Sequence, residues 1–268
     1  MKRQIVSAFQ ALTVALQFLT RIPLPVSVPY DGRTVSRSVA FYPLVGIVIG
    51  ALLVLTARLL PAAPALLNAA LLLVLWIALT GGLHLDGWMD AADGLLSHRS
   101  RERMLEIMKD SRVGAMGVIA AVLLLLIKWI CLYELLAYAA SHPGFAARTL
   151  PAVLLAVPAI SRWCMAAAIV RRPYIGGPNG LGALLADARG RTMLLAVGAV
   201  WCAAAAFLAP WPLWGAVAAG QLAAGFAFAR YVMRRLGGWT GDTYGALNEA
   251  VEAAGLVAAV YAAAEWGG

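Results

Sequence analysis

The sequence predicts an all-α, polytopic membrane helix bundle: about seven transmembrane helices plus a short N-terminal interfacial or re-entrant helix. Three observations carry this. Of the 268 residues, 62% are hydrophobic and only 13% charged, with a mean hydropathy of +0.81. The apolar residues gather in runs close to the ~20 needed to cross a ~30 Å hydrocarbon core. The 13 prolines mostly punctuate those runs. A formal charge of +8 would also suit a nucleic-acid binder. The basic residues lie in short loops beside the apolar runs, however, where topology and anionic headgroups account for them. The lipid bilayer, and no nucleic acid, is the expected surroundings.

Taken in order, residues 5–19 are apolar but short and carry Gln10, Thr13 and Gln17. They read as a helix lying in or re-entering the interface, broken by Pro23 and Pro25. No small-residue cleavage site follows, so a cleaved leader is not expected. Spans are predicted near 40–60, 66–82, 115–136, 149–170, 192–209, 213–233 and 246–265. Gly46 and Gly50 place a GxxxG helix-packing signal on the first. Cys131, Cys164 and Cys202 fall in separate apolar runs and read as small hydrophobes, with no metal or disulfide spacing. No internal repeat or hinge composition appears, so residues 1–268 form one integral-membrane domain. The oligomeric state is left open, a homo-oligomer included.

Orientation follows from charge. With the N-terminus in the cytosol, the segments through 37, 83–114, 171–191 and 230–245 hold nearly all Lys and Arg. The other side has only Arg58 and Arg148. The positive-inside rule therefore puts segment 83–114 on the cytosolic face of the cell (inner) membrane. A true span at 5–19 would flip the N-terminus and leave these loops inside.

That segment organises the functional reading. Residues 80–117 hold six of the 13 acidic side chains. Asp86, Asp90 and Asp93 stand at i, i+4 and i+7, within about 60° of one another around a helix axis. Like charges so spaced repel. Oxygen-only donors without Cys point to a hard cation, Mg²⁺ or Mn²⁺, usually held by a few carboxylates plus substrate phosphates. The plainer reading is a solvated loop between spans. Against it, the acids keep one helical face while Trp88, Met89 and Leu95 fill others. Asp110, in the second half of the segment, joins them as a candidate metal ligand. His84 precedes the stripe and joins it only if the helix begins at or after that residue. The second half is basic, and Lys109 and Arg112 suit a polyphosphate, Arg112 as a phosphate fork. Arg99, Arg101 and Arg103 read as a headgroup-facing run.

Lys128 and Arg162 lie within spans, ~20 Å and ~12 Å from their cytosolic ends. Such residues normally face a polar cavity; snorkelling is the ordinary alternative, weaker for Lys128. A pair between Lys128 and Glu134 is one option. Near the C-terminus, Glu249 and Glu252 are i, i+3 neighbours entering the last span, with Asp242 and Asn248 close by. Favourable dipole placement explains acids there; a second acidic wall explains two at once. The glycine-rich loop 172–182 could offer backbone N–H groups to phosphate, but it lacks the lysine and spacing of a P-loop.

HLDGWMDAADGL (84–95 within 83–96) followed by EIMKDSRVGAMG resembles the signature of the cobalamin synthase family, adenosylcobinamide-GDP ribazoletransferases. FLTRIPLP, FYPLVGIVIG, KW at Lys128, SRW at Ser161 and GGWTGDTYGALNE look like family landmarks in the family's order. Trp88-Met89 replaces the smaller residues common between the acids, and the loop after Arg172 matches loosely. The resemblance implies a multi-pass, Mg²⁺-requiring enzyme. It would transfer adenosylcobinamide-phosphate from adenosylcobinamide-GDP to α-ribazole, or to its 5′-phosphate, releasing GMP in the last assembly step of the nucleotide loop. On that footing Asp86, Asp90 and Asp93 hold the metal, one or two ions, and His84 or one acid takes the proton. Lys109, Arg112 and Arg162 hold phosphates and Lys128 takes a substrate-binding place in the pocket, while Asp242, Asn248, Glu249 and Glu252 complete the metal site or grip the ribazole. Two other classes compete. A CDP-alcohol phosphotransferase needs Ala-Arg shortly after the first Asp-Gly, whereas Asp86-Gly87 is followed by Trp-Met-Asp. A cation-coupled transporter would show paired repeats and acids near the midplane.

Overall fold

The computed structural model describes residues 2–61, 64–178, 181–188, 190–206 and 211–266. Among these the chain is helical throughout, and the sole β feature is an isolated parallel bridge between Tyr174 and Trp239. The helices are α1 (Lys2–Leu19), α2 (Gly32–Ser38), α3 (Tyr42–Leu59), α4 (Ala65–Thr80), α5 (Leu83–Leu95) and α6 (Arg101–Ile107). They continue with α7 (Ala115–Ser141), α8 (Leu150–Arg171), α9 (Leu181–Leu185), α10 (Met193–Ala206), α11 (Trp211–Leu236) and α12 (Gly241–Trp266). Among the described residues five segments are long and apolar enough to cross a membrane: Gly32–Leu59, Ala115–Ser141, Phe145–Arg171, Leu213–Leu236 and Gly241–Glu265. The apolar part of α1, Val6–Leu19, is shorter than a span, as its polar content predicts.

Three expectations change. The span predicted at 66–82 is not one straight helix. Gly81 and Gly82 both take positive φ, 63° and 71°, a region glycine enters without a Cβ penalty. The chain turns there by 89° into α5. Counting this bent pair as one crossing gives six among the described residues. The expected span at 192–209 corresponds to α10, and residues 207–209 lie outside the described residues. The last helix begins at Gly241, five residues earlier than hydropathy suggests. Thr240 and Thr243 explain the start: the Thr243 N–H donates to Thr240 Oγ1 (3.2 Å) and the Thr240 N–H to Thr243 Oγ1 (2.8 Å), a reciprocal cap.

α8 is the buried centre of the bundle, with 17 buried residues. The GxxxG of α3 packs on it. A Cβ at position 46 would stand 2.6 Å from Ala159 Cα, and one at position 50 would stand 2.7 Å from Leu155 Cα. Only glycine lets the two backbones approach so closely. At the end of the bundle that gathers the C-termini of α5 and α11 with the start of α12, Arg235 Nη2 donates to Leu95 O (3.2 Å). There the Trp239 and Ile175 N–H groups donate to Pro173 O and Trp239 O (both 2.8 Å), tying the turn before α12 to the loop after α8.

Candidate active site

α5 runs beside the first turns of α12, and a cavity of about 240 Å³ opens between them. Asp86 and His84 line it from α5, and Asp242 from α12, with Phe18 and Leu19 of α1 and Met165 and Ile169 of α8 closing the apolar side. Two glycines make the approach possible. A Cβ on Gly87 would sit 2.8 Å from Asp242 O and 3.0 Å from Asp242 Cα; one on Gly245 would sit 3.2 Å from His84 Cα. Asp242 lies in the first turn of α12, where the helix dipole favours a carboxylate.

Asp90 follows Asp86 by one turn and is half-buried. Its electrostatic neighbours are Asp86, Asp242 and Asp93, all negative. No Lys, Arg or His pairs with Asp86, Asp90 or Asp242 among the described residues. Nor do three His, Cys, Asp or Glu side chains there converge into a metal cage. Mg²⁺ needs no such cage; it keeps several waters and takes one or two carboxylates with substrate phosphates. Unpaired acids on facing helices at a cavity fit that ion.

The other predicted residues are placed differently. Asp93, expected on the metal, turns its two oxygens to the Gly114 N–H (2.7 Å) and the Gly117 N–H (2.8 Å), satisfying free donors at the start of α7. Asp110 lies on an exposed loop. It meets the Arg112 guanidinium through Nε (3.0 Å) and Nη2 (2.8 Å), and those bonds hold its carboxyl down, at about 2. The Arg112 fork is thus turned to Asp110 rather than to the cavity. Lys109 is exposed beside them.

Glu249 and Glu252 fall eight and eleven residues into α12, so they lie ~12 and ~16 Å along it and do not form a second acidic wall at the surface. Lys128 Nζ contacts Glu249 Oε2 (2.5 Å) and Glu252 Oε2 (2.6 Å), and Arg162 Nη1 contacts Glu252 Oε1 (2.6 Å). All four residues are at most 6% exposed. Glu134 is not the partner of Lys128, and the two cations expected in substrate-binding roles are balanced within the bundle. Lys128 also stands 4.9 Å over the Trp76 ring. Asn248 Nδ2 bridges His84 Nδ1 (3.3 Å) and Glu252 Oε1 (3.2 Å). The helix begins one residue before His84; its buried side chain reaches Asn248 of α12, and the residue lines the cavity. In the glycine-rich loop, Asn179 and Gly180 lie outside the described residues.

Two residues near the site escape the sequence reading. Ser161 Oγ sits 3.4 Å from Glu252 Oε1; its signals were the adjacent Arg162 and the SRW landmark, neither of which gave it a place in the site. Arg21 packs its side chain against Gly81 at the turn into α5, and its N–H donates to Leu79 O (2.7 Å).

Fold and cavity together define a class: a polytopic helical membrane protein with an acid-walled polar site at one end of its bundle. Comparison with known proteins narrows it. A family model described as cobalamin-5-phosphate synthase matches residues 11–260, and the chain belongs to that family. It is 43% identical over 250 residues to the adenosylcobinamide-GDP ribazoletransferase of Desulfitobacterium hafniense (strain Y51), covering 91% of this chain and 94% of that one. Proteins of the same name from Stutzerimonas stutzeri (strain A1501) and Brevibacillus brevis (strain 47 / JCM 6285 / NBRC 100599) are 43% and 40% identical, each over 248 residues, covering 92% of this chain and 96% of theirs. No solved structure matches.

Proposed function

We propose that this chain transfers the adenosylcobinamide-phosphate moiety of adenosylcobinamide-GDP to α-ribazole, or to its 5′-phosphate, releasing GMP, with the site on the cytosolic face of the inner membrane. The names of its relatives support the substrates. The observation that carries the reading is the meeting of Asp86 and Asp242 across one cavity with no cation among the described residues paired to them.

A hydroxyl oxygen of the ribazole forms the new P–O bond at the phosphorus nearer the cobinamide, and the anhydride bond to GMP breaks. Mg²⁺, held by Asp86, Asp90 and Asp242, would supply positive charge against the diphosphate. The chain's own part is positioning. α5 and α12 fix the carboxylates on facing walls, and a cavity carboxylate accepts the hydroxyl proton. Phe18, Leu19, Met165 and Ile169 exclude water from the inner side.

The test is GMP release by the full chain in nanodiscs. Release should require both adenosylcobinamide-GDP and the ribazole, stop with EDTA and return with Mg²⁺. Release that ignores the ribazole, or survives EDTA, refutes the reading.

A further inference from the structure

The hydrogen bonds around His84 determine which of its ring nitrogens carries the proton. Glu252 is the starting point. One of its oxygens meets Lys128 Nζ at 2.6 Å and the other meets Arg162 Nη1 at 2.6 Å, with Ser161 Oγ at 3.4 Å. A fully buried carboxylate between two cations is ionised, and an ionised carboxylate only accepts. The amide atom of Asn248 that faces Glu252 Oε1 at 3.2 Å must therefore be the NH₂ nitrogen. This fixes the amide orientation by chemistry rather than by choice.

The same nitrogen lies 3.3 Å from His84 Nδ1. An amide NH₂ has two hydrogens to give and no lone pair to offer. It donates one to Glu252 and the other to the histidine, so Nδ1 is the bare, accepting nitrogen. The ring is neutral and its proton sits on Nε2. That Nε2 is buried and has no hydrogen-bond partner among the described residues, on a residue that is 2% exposed and lines the cavity of Asp86 and Asp242. A buried N–H without an acceptor costs about 1–3 kcal/mol, and such a group calls for an explanation.

We propose that His84 is a hydrogen-bond donor, through Nε2–H, to a phosphate oxygen of the diphosphate substrate, and that Asn248 and Glu252 are the positioning residues that hold it in that tautomer. Resting on the function proposed above, this assigns His84 a part that its residue type alone does not. In this tautomer Nε2 has no lone pair, so His84 neither takes the ribazole proton nor ligates a metal through that atom. The buried cluster of Lys128, Arg162, Glu249 and Glu252 gains a purpose: it keeps Glu252 ionised, and so keeps Asn248 oriented, one step from the cavity.

The test compares substitutions that separate a donor from a base. Glutamine places an amide N–H close to where Nε2–H stands but cannot accept a proton. In the full chain in nanodiscs, His84→Ala should lower kcat about 10²- to 10³-fold, as loss of a preorganised donor does. His84→Gln should return activity to within about tenfold of the wild type. A His84→Gln protein that folds, by gel filtration, and is as inactive as His84→Ala overturns the proposal.

A second readout does not depend on activity. The chain has three histidines, so ¹⁵N-histidine labelling gives three ring signals, and the one lost in His84→Gln belongs to His84. The proposal expects the neutral Nε2–H pattern there, moving toward Nδ1–H or the imidazolium in Asn248→Asp. An Nδ1–H or imidazolium pattern in the wild type overturns it. Wild-type protein that shows the Nε2–H signature yet never releases GMP would instead sink the functional reading and leave the tautomer standing.

Discussion

Lys128→Met tests whether the four buried charges hold one another. Two cations, Lys128 and Arg162, balance two anions, Glu249 and Glu252, through contacts of 2.5, 2.6 and 2.6 Å, with no residue more than 6% exposed. Methionine keeps the stem volume and removes the charge, which leaves an uncompensated carboxylate in a medium that solvates it poorly. Breaking one side of a buried pair costs about 3–5 kcal/mol. At ~2–4 °C per kcal/mol for a chain of this size, that is a fall in Tm of roughly 6–20 °C. Glu249→Gln in the same chain restores neutrality, because Arg162 and Glu252 still pair. The double variant should recover most of the loss, with a coupling term of about 2 kcal/mol or more. The assay is thermal unfolding in nanodiscs, followed by tryptophan fluorescence and by loss of the monodisperse gel-filtration peak. A single variant within about 2 °C of wild type, or a double variant whose loss is the sum of the two singles, refutes the reasoning.

Four further outcomes follow from the same geometry. Asp86→Ala and Asp242→Ala should each abolish Mg²⁺-dependent GMP release while the protein keeps its Tm. Asp110→Asn should leave release unchanged at neutral pH. The Asp110 carboxyl is lowered from 3.8 to about 2 by Arg112, so its contribution is complete above pH 4 and is lost only as the pH falls toward 2; a change between pH 6 and 8 would contradict this. Asp93→Ala removes the acceptor of two N–H groups at the start of α7 and should cost about 0.5–2 kcal/mol, as a lost N-cap does. Calorimetry reads that cost, while the apparent Mg²⁺ affinity stays put; a marked weakening would return Asp93 to the metal. Gly87→Ala forces a Cβ to within 2.8 Å of Asp242 O. It should part α5 from α12, cost about 1–3 kcal/mol and lower kcat, and a normal kcat would count against the facing-wall geometry.

The acid stripe was legible because its information is local. Asp86, Asp90 and Asp93 share one helix, and 100° per residue suffices to align them. What each acid meets was not legible. Asp93 caps α7 across 21 and 24 residues, a contact decided by how α5 packs on α7. Its one sequence trace is the pair Gly114 and Gly117, where a Cβ would collide with the carboxylate. Lys128 invited pairing with Glu134, six residues away, yet its partners lie 121 and 124 residues on. Hydropathy also began the last helix at 246, because the polar turns 241–245 do not look like membrane. The Thr240–Thr243 cap shows that they are helical. That shift pushes Glu249 and Glu252 inward, from a surface wall to a counter-charge for Lys128 and Arg162.

The same displacement explains how a mid-bundle charge cluster can serve a site at the bundle's end. Asn248 lies one turn before Glu252 on α12, so the amide spans the gap between the cluster and α5. Gly245, a further turn toward the start, lets His84 close on that helix, and Asp242, a turn beyond, opens on the cavity. One face of α12, at 242, 245, 248, 249 and 252, thus carries acid, contact, linker and anchor in sequence. Helical periodicity alone could list those positions. Their order of roles becomes readable only when Lys128 and Arg162, from α7 and α8, fix which end of the face is neutralised. The unneutralised end is where the proposed cation and diphosphate would bind.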